Sequence, residues 1–413
     1  MERVVITGMG LISPLGNTIE QFWDRLITGE SGISPITSFD TSNFKTKIAG
    51  VVHDFDAESR FGRKDARRMD RFSQFALAAT EEAWKHSGLQ LDKVDKERLG
   101  VYVGSGVGGI QTLMDQGNVL KERGPDRVSP TLIPMMISNM AAAMISIRLG
   151  ALGPTMSPVT ACSIGNTAIG EAFRLIRYGG ADIVIAGGSE AAITEISLAS
   201  FGNATSLSTR NEEPTKASRP FDGNRDGFVI GEGGGIVILE SLSHAQRRNA
   251  TIHGEVIGYG ASSDAYHMVA THPEGIGAYL AMKHALQEAK LQPHDVDVIS
   301  AHATSTGVGD RSETLAIKKL FGEQAYHIPV TANKSMTGHA LGAAGGLEAI
   351  ALVKSIQEGI IPPTINQEVR DSICDLDYVP NIARKADLNI GISNSFGFGG
   401  HNAVIVIQKY KDN

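Results

Sequence analysis

The chain has 413 residues, 42% of them hydrophobic and 20% charged, a globular composition with room for two domains or one duplicated unit. Its formal charge of −7, from 38 basic and 45 acidic side chains, gives no net basic field to gather phosphates and argues against a nucleic-acid binder. Two cysteines, Cys162 and Cys374, make no disulfide framework and fit a reducing cytoplasm. MERVVITGMG does not read as a leader peptide, and no run of about 18 apolar residues is present to enter a membrane.

Arg3–Thr7 reads as a buried strand that ends in a turn at Gly8-Met9-Gly10. A dinucleotide fingerprint would need a third glycine where Pro14 and Leu15 stand, so that motif is rejected. Helices are predicted over Ile19–Leu26 and Asp70–His86, the second capped by Asp70 and closed by Gly88. Just before it, GRKDARRMDR carries Arg63, Lys64, Arg67, Arg68 and Arg71, either a solvated face or a local basic patch. Leu99–Val103 reads as a strand, followed by the loop GSGVGG. One long apolar helix is predicted from near Thr131 through Leu149.

In VTACSIGNTAIGEAFRLIRY, from Val159 to Tyr178, Ala168, Ala172, Leu175 and Ile176 recur at helical spacing. Cys162 therefore stands where a strand or turn feeds a helix N-terminus. Helix N–H groups and the dipole favour negative charge there, so a lowered thiol pKa is expected. A lone cysteine at such a place is either an inert buried thiol or a nucleophile toward a carbonyl, with the same N–H groups holding the oxyanion.

Asp182–Ala186 is an apolar strand ending in Gly187-Gly188-Ser189-Glu190, and Thr209–Gly235 is a long polar loop rich in Gly and Pro. A strand at Gly235–Leu239 and a helix at Ser241–Arg248 lead to a boundary near Asn249, dividing the chain into 1–249 and 250–413. The second half has strands at His253–Tyr259, Val296–Ser300, Asn389–Ser393 and Ala403–Gln408, and helices at Gly275–Lys290, Arg311–Phe321 and Ala340–Glu358. Strands and helices alternate at the pace of an α/β fold with buried sheets.

Laying Thr160-Ala161-Cys162 on Thr337-Gly338-His339 brings Gly165 onto Gly342, Glu171 onto Glu348 and Leu175 onto Leu352. This is either coincidence between two helices or a duplication. A duplication would aim two helix N-termini at one centre, one delivering Cys162 and the other His339. Three further segments carry chemistry: Ala301-His302-Ala303-Thr304-Ser305-Thr306, Asn333–His339 and Asn394–Asn402. The first and third follow strands directly, where α/β sheets bind ligands. Their histidines either pack as structural rings or stabilise charge near a thiolate. Lys334 is either a surface charge or a partner of Glu348.

These motifs together, TACSIG, RPFDGNRDGFVIGEGGG, AHATST, KSMTGHALGAAGGLE and NSFGFGGHN, resemble the β-ketoacyl-acyl carrier protein synthases over nearly the whole chain, most closely the synthase II group. The resemblance implies a thiolase-like duplicated fold, an αβαβα core with pseudo-two-fold symmetry, and a homodimer. It implies decarboxylative Claisen condensation of malonyl-carrier protein with an acyl thioester in fatty-acid elongation. Cys162 would be the nucleophile; His302 and His339 would assist CO₂ loss and stabilise the enolate; Lys334 and Glu348 would set the field. The N–H groups of Cys162 and Phe398 would form the oxyanion hole, with the Phe398 ring gating the acyl pocket, while Asn394 and His401 would support the site. Thr304 and Thr306 would hold the phosphopantetheine arm, and Val107 and Phe201 would line the acyl pocket. Lys64, Arg67, Arg68 and Arg127 would receive acyl carrier protein. No cofactor or metal is implied beyond the phosphopantetheine that the substrates carry.

Two positions depart from the family pattern: Ala303 replaces the usual glycine after the first histidine, and His401 replaces the threonine of GGTN. A thiolase would carry its second cysteine in the loop that Phe398 and His401 occupy, and a chain-initiating synthase would have asparagine in place of His339. A chain-length factor lacks the nucleophile, and a plain acyl-binding protein has no need of Lys334, His302 and His339 together. A polyketide-type ketosynthase is the alternative enzyme.

Overall fold

The computed structural model describes residues 1–412. Strand β1 (Val4–Ile12) is buried along its whole length. It runs straight through Gly8-Met9-Gly10, where the sequence suggested a turn. The glycines serve a close approach instead. Helix α1 (Arg71–Ser87) lies directly on the strand, and a Cβ on Gly10 would stand 2.2 Å from the Ala79 carbonyl oxygen. The α1 boundaries follow their caps. The Asp70 side chain accepts from the Phe72 N–H, and Gly88 closes the helix at φ 66.

Ten strands form one sheet. The remaining nine are β2 (Leu99–Gly104), β3 (Thr155–Met156), β4 (Ile183–Glu190), β5 (Gly233–Ser241), β6 (Gly254–Ser263), β7 (Val298–Ser300), β8 (Val330–Thr331), β9 (Ile390–Gly397) and β10 (His401–Gln408). Their order is β8-β7-β9-β10-β6-β1-β5-β4-β2-β3. The first five strands and the last five repeat the same arrangement outward from the antiparallel β1–β6 contact. In each set the first strand pairs antiparallel with the fifth, the fifth antiparallel with the fourth, the fourth parallel with the second, and the second parallel with the third.

The correspondence extends to irregularities. β1 slips register against β5 between Ile6 and Gly8, and β6 slips against β10 between Val256 and Gly258. Gly260 repeats the close approach of Gly10: a Cβ there would stand 2.0 Å from the carbonyl oxygen of Ala281, on helix α4 (Ile276–Ala289).

Helices α3 (Ile164–Arg177) and α6 (Ala344–Glu358) form the middle layer. α3 touches β2, β4 and β5 on one side and β6, β9 and β10 on the other, and α6 packs beside it. Ile169, Phe173 and Ile176 of α3 join Leu347, Ile350 and Val353 of α6 in the central core. α1 and α2 (Met140–Leu149) cover the N-terminal strands from outside, and α4 covers the C-terminal ones with α5 (Gly307–Phe321) packed against it. The result is five layers, αβαβα. α3 and α6 meet through glycine, since a Cβ on Gly165 would lie 2.4 Å from the Gly346 nitrogen.

Two further expectations need correction. The helix predicted from Thr131 to Leu149 is broken. Leu132–Met136 and α2 are separated by extended backbone at Ile137, because the Gly109 N–H takes the Met136 carbonyl oxygen at 2.8 Å. The repeat is real, but its register differs from the sequence alignment. One-turn 3₁₀ segments, Ala161–Ser163 and Leu341–Ala343, head α3 and α6, each beginning at positive φ: 51 at Ala161 and 46 at Leu341. The backbone equivalent of Cys162 is therefore Gly342, and His339 lies one turn earlier.

Candidate active site

Cys162 is 7% exposed, in the 3₁₀ turn that heads α3. The left-handed conformation of Ala161, unfavourable for a residue with a Cβ, sets the direction in which the next residue leaves the backbone. The end of β9 comes against this turn through a glycine. A Cβ on Gly397 would lie 2.7 Å from Thr160 O and 3.0 Å from Cys162 N. Close approach lets two N–H groups, those of Phe398 and of Cys162 itself, donate toward the sulfur. Burial nevertheless pushes the thiol up to about 12, opposed by the Lys334 ammonium and by those N–H groups. The lowered thiol pKa expected from the helix terminus is thus reversed: desolvation of the sulfur outweighs the dipole.

His302 leaves the end of β7 on a strained loop, with φ 29 at Ala303 and 70 at Ser305. Buried Glu313 of α5 holds that loop, accepting from the N–H of His302 at 2.9 Å and of Ala303 at 2.8 Å. Asn394 Nδ2 donates to the same carboxylate at 3.0 Å. His339 is clamped by the long polar loop: its N–H donates to Val229 O at 2.7 Å, and its carbonyl accepts from Gly231 N at 2.9 Å. The two imidazoles stand edge to face with centroids 5.3 Å apart. Phe228 packs on the edge of His339, and Phe396 lies beside His302.

Burial and then the Lys334 charge hold both histidines well below the ordinary imidazole range, with His339 adding to the effect on His302. Both rings are neutral at pH 7. Lys334 is buried and ion-paired with Glu348. Burial raises the Glu348 carboxyl to about 7 even with the ammonium in contact.

A cavity of about 530 Å³ brings together Cys162, His302, His339, Phe201, Thr304, Thr306 and Phe398. Lys334, Glu348 and Asn394 are buried. Two other expected residues do not join the cavity. Val107 is 38% exposed, because Glu190 draws its N–H inward and leaves the side chain on the surface. His401 is exposed, its ring lying over Gly399. Lys64, Arg67 and Arg68 are exposed on and beside the short helix Arg63–Ala66, and Arg127 is exposed elsewhere on the surface.

Four residues that sequence reasoning passed over help build the site, Glu190, Asp310 and Glu313 from behind and Arg225 at the cavity wall. Glu190 accepts from Ser105 Oγ and from the N–H groups of Gly106, Val107 and Gly342. Asp310 accepts from Ser305 N at 3.1 Å and Phe221 N at 2.7 Å. Among the described residues, no cluster of three or more His, Cys, Asp or Glu has the placement to hold a metal ion, and no helix is long and apolar enough to cross a membrane.

Residues 1–245 match the family described as beta-ketoacyl synthase, N-terminal domain, and residues 253–368 match the corresponding C-terminal domain. The chain is 50% identical over 410 residues to 3-oxoacyl-[acyl-carrier-protein] synthase 2 of Synechocystis sp., covering 99% of both. It is 48% identical over 410 residues to the protein of that name in Staphylococcus aureus, again covering 99% of both. A solved beta-ketoacyl synthase from Burkholderia phymatum superposes with a TM-score of 0.93 at 34% identity, with 100% of each chain covered. A type II polyketide ketosynthase, bound to a hexaketide and in complex with its acyl-carrier protein, superposes with a TM-score of 0.90 at 35% identity over 99% of this chain and 100% of that one. A cysteine-bearing turn, two neutral imidazoles and a buried Lys–Glu pair thus stand on a duplicated five-layer fold, and the chain belongs to the β-ketoacyl synthase family.

Proposed function

We propose that this chain is an acyltransferase that elongates fatty acids by condensing malonyl-acyl carrier protein with an acyl group held on Cys162. The observation that carries this reading is the meeting of Cys162, His302 and His339 at one cavity. In the first half-reaction the Cys162 sulfur attacks the acyl thioester carbon. The oxyanion lies between the N–H groups of Cys162 and Phe398. The thiol is protonated at neutral pH, so its proton must leave as the bond forms. A neutral imidazole in the cavity takes it and passes it to the departing carrier-protein thiolate.

Malonyl-carrier protein then enters. The ring N–H groups of His302 and His339 donate to its thioester carbonyl. The bond to the carboxylate breaks, CO₂ leaves, and the electron pair forms an enolate on that carbonyl. The enolate carbon attacks the Cys162 thioester, the carbon–sulfur bond breaks, and the leaving thiolate takes up one proton from water, the proton that the overall condensation consumes. The product is a 3-oxoacyl chain two carbons longer on the carrier protein. Neutral rings suit this work, because they donate a hydrogen bond without fixing the malonyl carboxylate as an ion pair. Thr304 and Thr306 hold the phosphopantetheine arm. Phe201 and Phe398, with ring centroids 6.3 Å apart, border the acyl path.

Acyl carrier protein is the partner, received at Lys64, Arg67, Arg68 and Arg127. The homodimer reading is supported by exposed surface in the N-terminal half. Edge strand β3 is exposed, the helix Ile110–Arg123 buries no side chain, and Ile147 and Leu152 are 71% and 72% exposed nearby in sequence. We take the chain as two units, 1–249 and 250–413, working in the cytoplasm.

CO₂ release from malonyl-carrier protein tests the roles. Cys162→Gln, whose side-chain amide imitates the acyl carbonyl, is expected to abolish condensation yet still release CO₂. Adding His302→Ala or His339→Ala is expected to stop that release. Undiminished release without either histidine contradicts the assignment.

A further inference from the structure

The strained loop that carries His302, Thr304 and Thr306 has a second support in Arg225, which also borders the cavity. Arg225 is buried, with its side chain 2% exposed, between that loop and the segment 366–381. Its Nε donates to Thr306 O at 3.0 Å, and its Nη2 donates to Gly307 O at 3.0 Å. Its Nη1 donates to Asp222 O at 2.6 Å and to Asp371 Oδ2 at 3.0 Å. The guanidinium thus fixes the two carbonyls that follow the threonine hydroxyls. Those hydroxyls lie 3.1 Å apart and face the cavity.

Two carboxylates flank this guanidinium. Asp310 approaches its Nε at 3.4 Å but already accepts from the Ser305 and Phe221 N–H groups. Asp371 completes the fork. It also binds Arg311 at 3.0 Å and accepts from the N–H groups of Ile373 and Cys374, so its own position is fixed from within its segment. A planar guanidinium with one arm tied to a fixed carboxylate is held in orientation, and its other donors are then aimed.

We propose that Asp371 is a positioning residue for substrate binding: through Arg225 it sets the Thr304–Thr306 loop at the spacing the phosphopantetheine arm requires. This rests on the reading that those threonines hold the arm. The prediction concerns KM for substrates with the arm and leaves the chemistry at Cys162 alone. Arg225 joins loop to segment, so loss of the Asp371 charge frees one arm of the fork and lets the loop shift.

The test measures acylation of Cys162 by mass spectrometry with two donors, an acyl-pantetheine thioester and an acyl ethyl thioester that has no amides for the threonines to meet. Asp371→Asn keeps the shape and removes the charge. It is expected to raise KM for the pantetheine donor about tenfold, to leave kcat within about threefold, and to leave the ethyl thioester rate unchanged. Asp371→Glu is expected to recover part of the loss. Thr304→Val/Thr306→Val is expected to raise the same KM, and adding Asp371→Asn to it is expected to have little further effect. An unmoved KM in Asp371→Asn, or an equal loss with both donors, overturns the proposal. An unmoved KM in the threonine variant overturns the reading beneath it.

Discussion

The two halves of the molecule build the same backbone and put it to different uses. β4 ends in Glu190, and β9 ends at the corresponding place in Gly397. Each strand end reaches the 3₁₀ turn heading a central helix. At the C-terminal turn, Glu190 Oε2 accepts the Gly342 N–H at 3.1 Å, so an internal carboxylate occupies the anion-accepting position. At the N-terminal turn, Gly397 brings only backbone, no carboxylate takes the Cys162 N–H, and Cys162 lines the cavity. The duplicated scaffold offers two such positions, and a side chain plugs one of them. Asymmetry of the chemistry arises from a few residues at strand ends rather than from the layers.

Copying the plug into the other half breaks the contrast most severely. Gly397→Glu puts a Cβ against Thr160 O and a carboxylate at the Cys162 N–H. Condensation is expected to fall on the order of 10³-fold, the scale of losing oxyanion stabilisation, with the fold retained by circular dichroism. The second expected effect concerns the sulfur itself. Burial holds the Cys162 thiol at about 12 and the Cys374 thiol at about 11, so both are protonated at neutral pH. Iodoacetamide should modify each at pH 8 at least about tenfold more slowly than a free thiol, and the rates should still be rising at pH 10. A plateau near pH 7 for Cys162 would restore the helix-dipole expectation.

A third measurement sharpens the likeness of the halves. Gly10→Ala and Gly260→Ala make the same clash with the covering helix, at 2.2 and 2.0 Å from a carbonyl oxygen. Each is expected to cost roughly 1–3 kcal/mol in denaturant unfolding, and the two values should agree closely. The smallest effect belongs to Ala303, which holds φ 29 where glycine is favoured. Ala303→Gly should stabilise by up to about 1 kcal/mol or be neutral, with activity kept.

The α/β class and most elements were legible because apolar periodicity and capping residues are local. Asp70 and Gly88 mark both ends of α1 in the sequence. Strand ends were less legible. The apolar runs end at Ala186 and Ser393, before residues rich in glycine and polar groups, yet Gly187–Glu190 and Asn394–Gly397 continue β4 and β9, where backbones of other elements come close. The three-residue error in the repeat register has a similar cause. Thr337-Gly338-His339 matches Thr160-Ala161-Cys162 in side-chain character, whereas the true register is carried by positive φ at Ala161 and Leu341, which no residue type there announces. Glu190 and Glu313 escaped notice because their partners are distant in sequence or are backbone N–H groups. A carboxylate inside GGSE, at the end of an apolar strand, was the signal available for the first. Asp310 and Glu313, three apart near the start of α5, were the signal for the second. The thiol pKa was misjudged because a sequence shows a helix terminus but not the depth at which it is buried.

The central claim is that the acyl group is carried on the Cys162 sulfur. Intact-protein and peptide mass spectrometry after incubation with an acyl-acyl carrier protein tests it most directly. One acyl adduct, mapped to Cys162, is expected, and none in Cys162→Ala. An adduct on Cys374, or full condensation activity in Cys162→Ala, would contradict it.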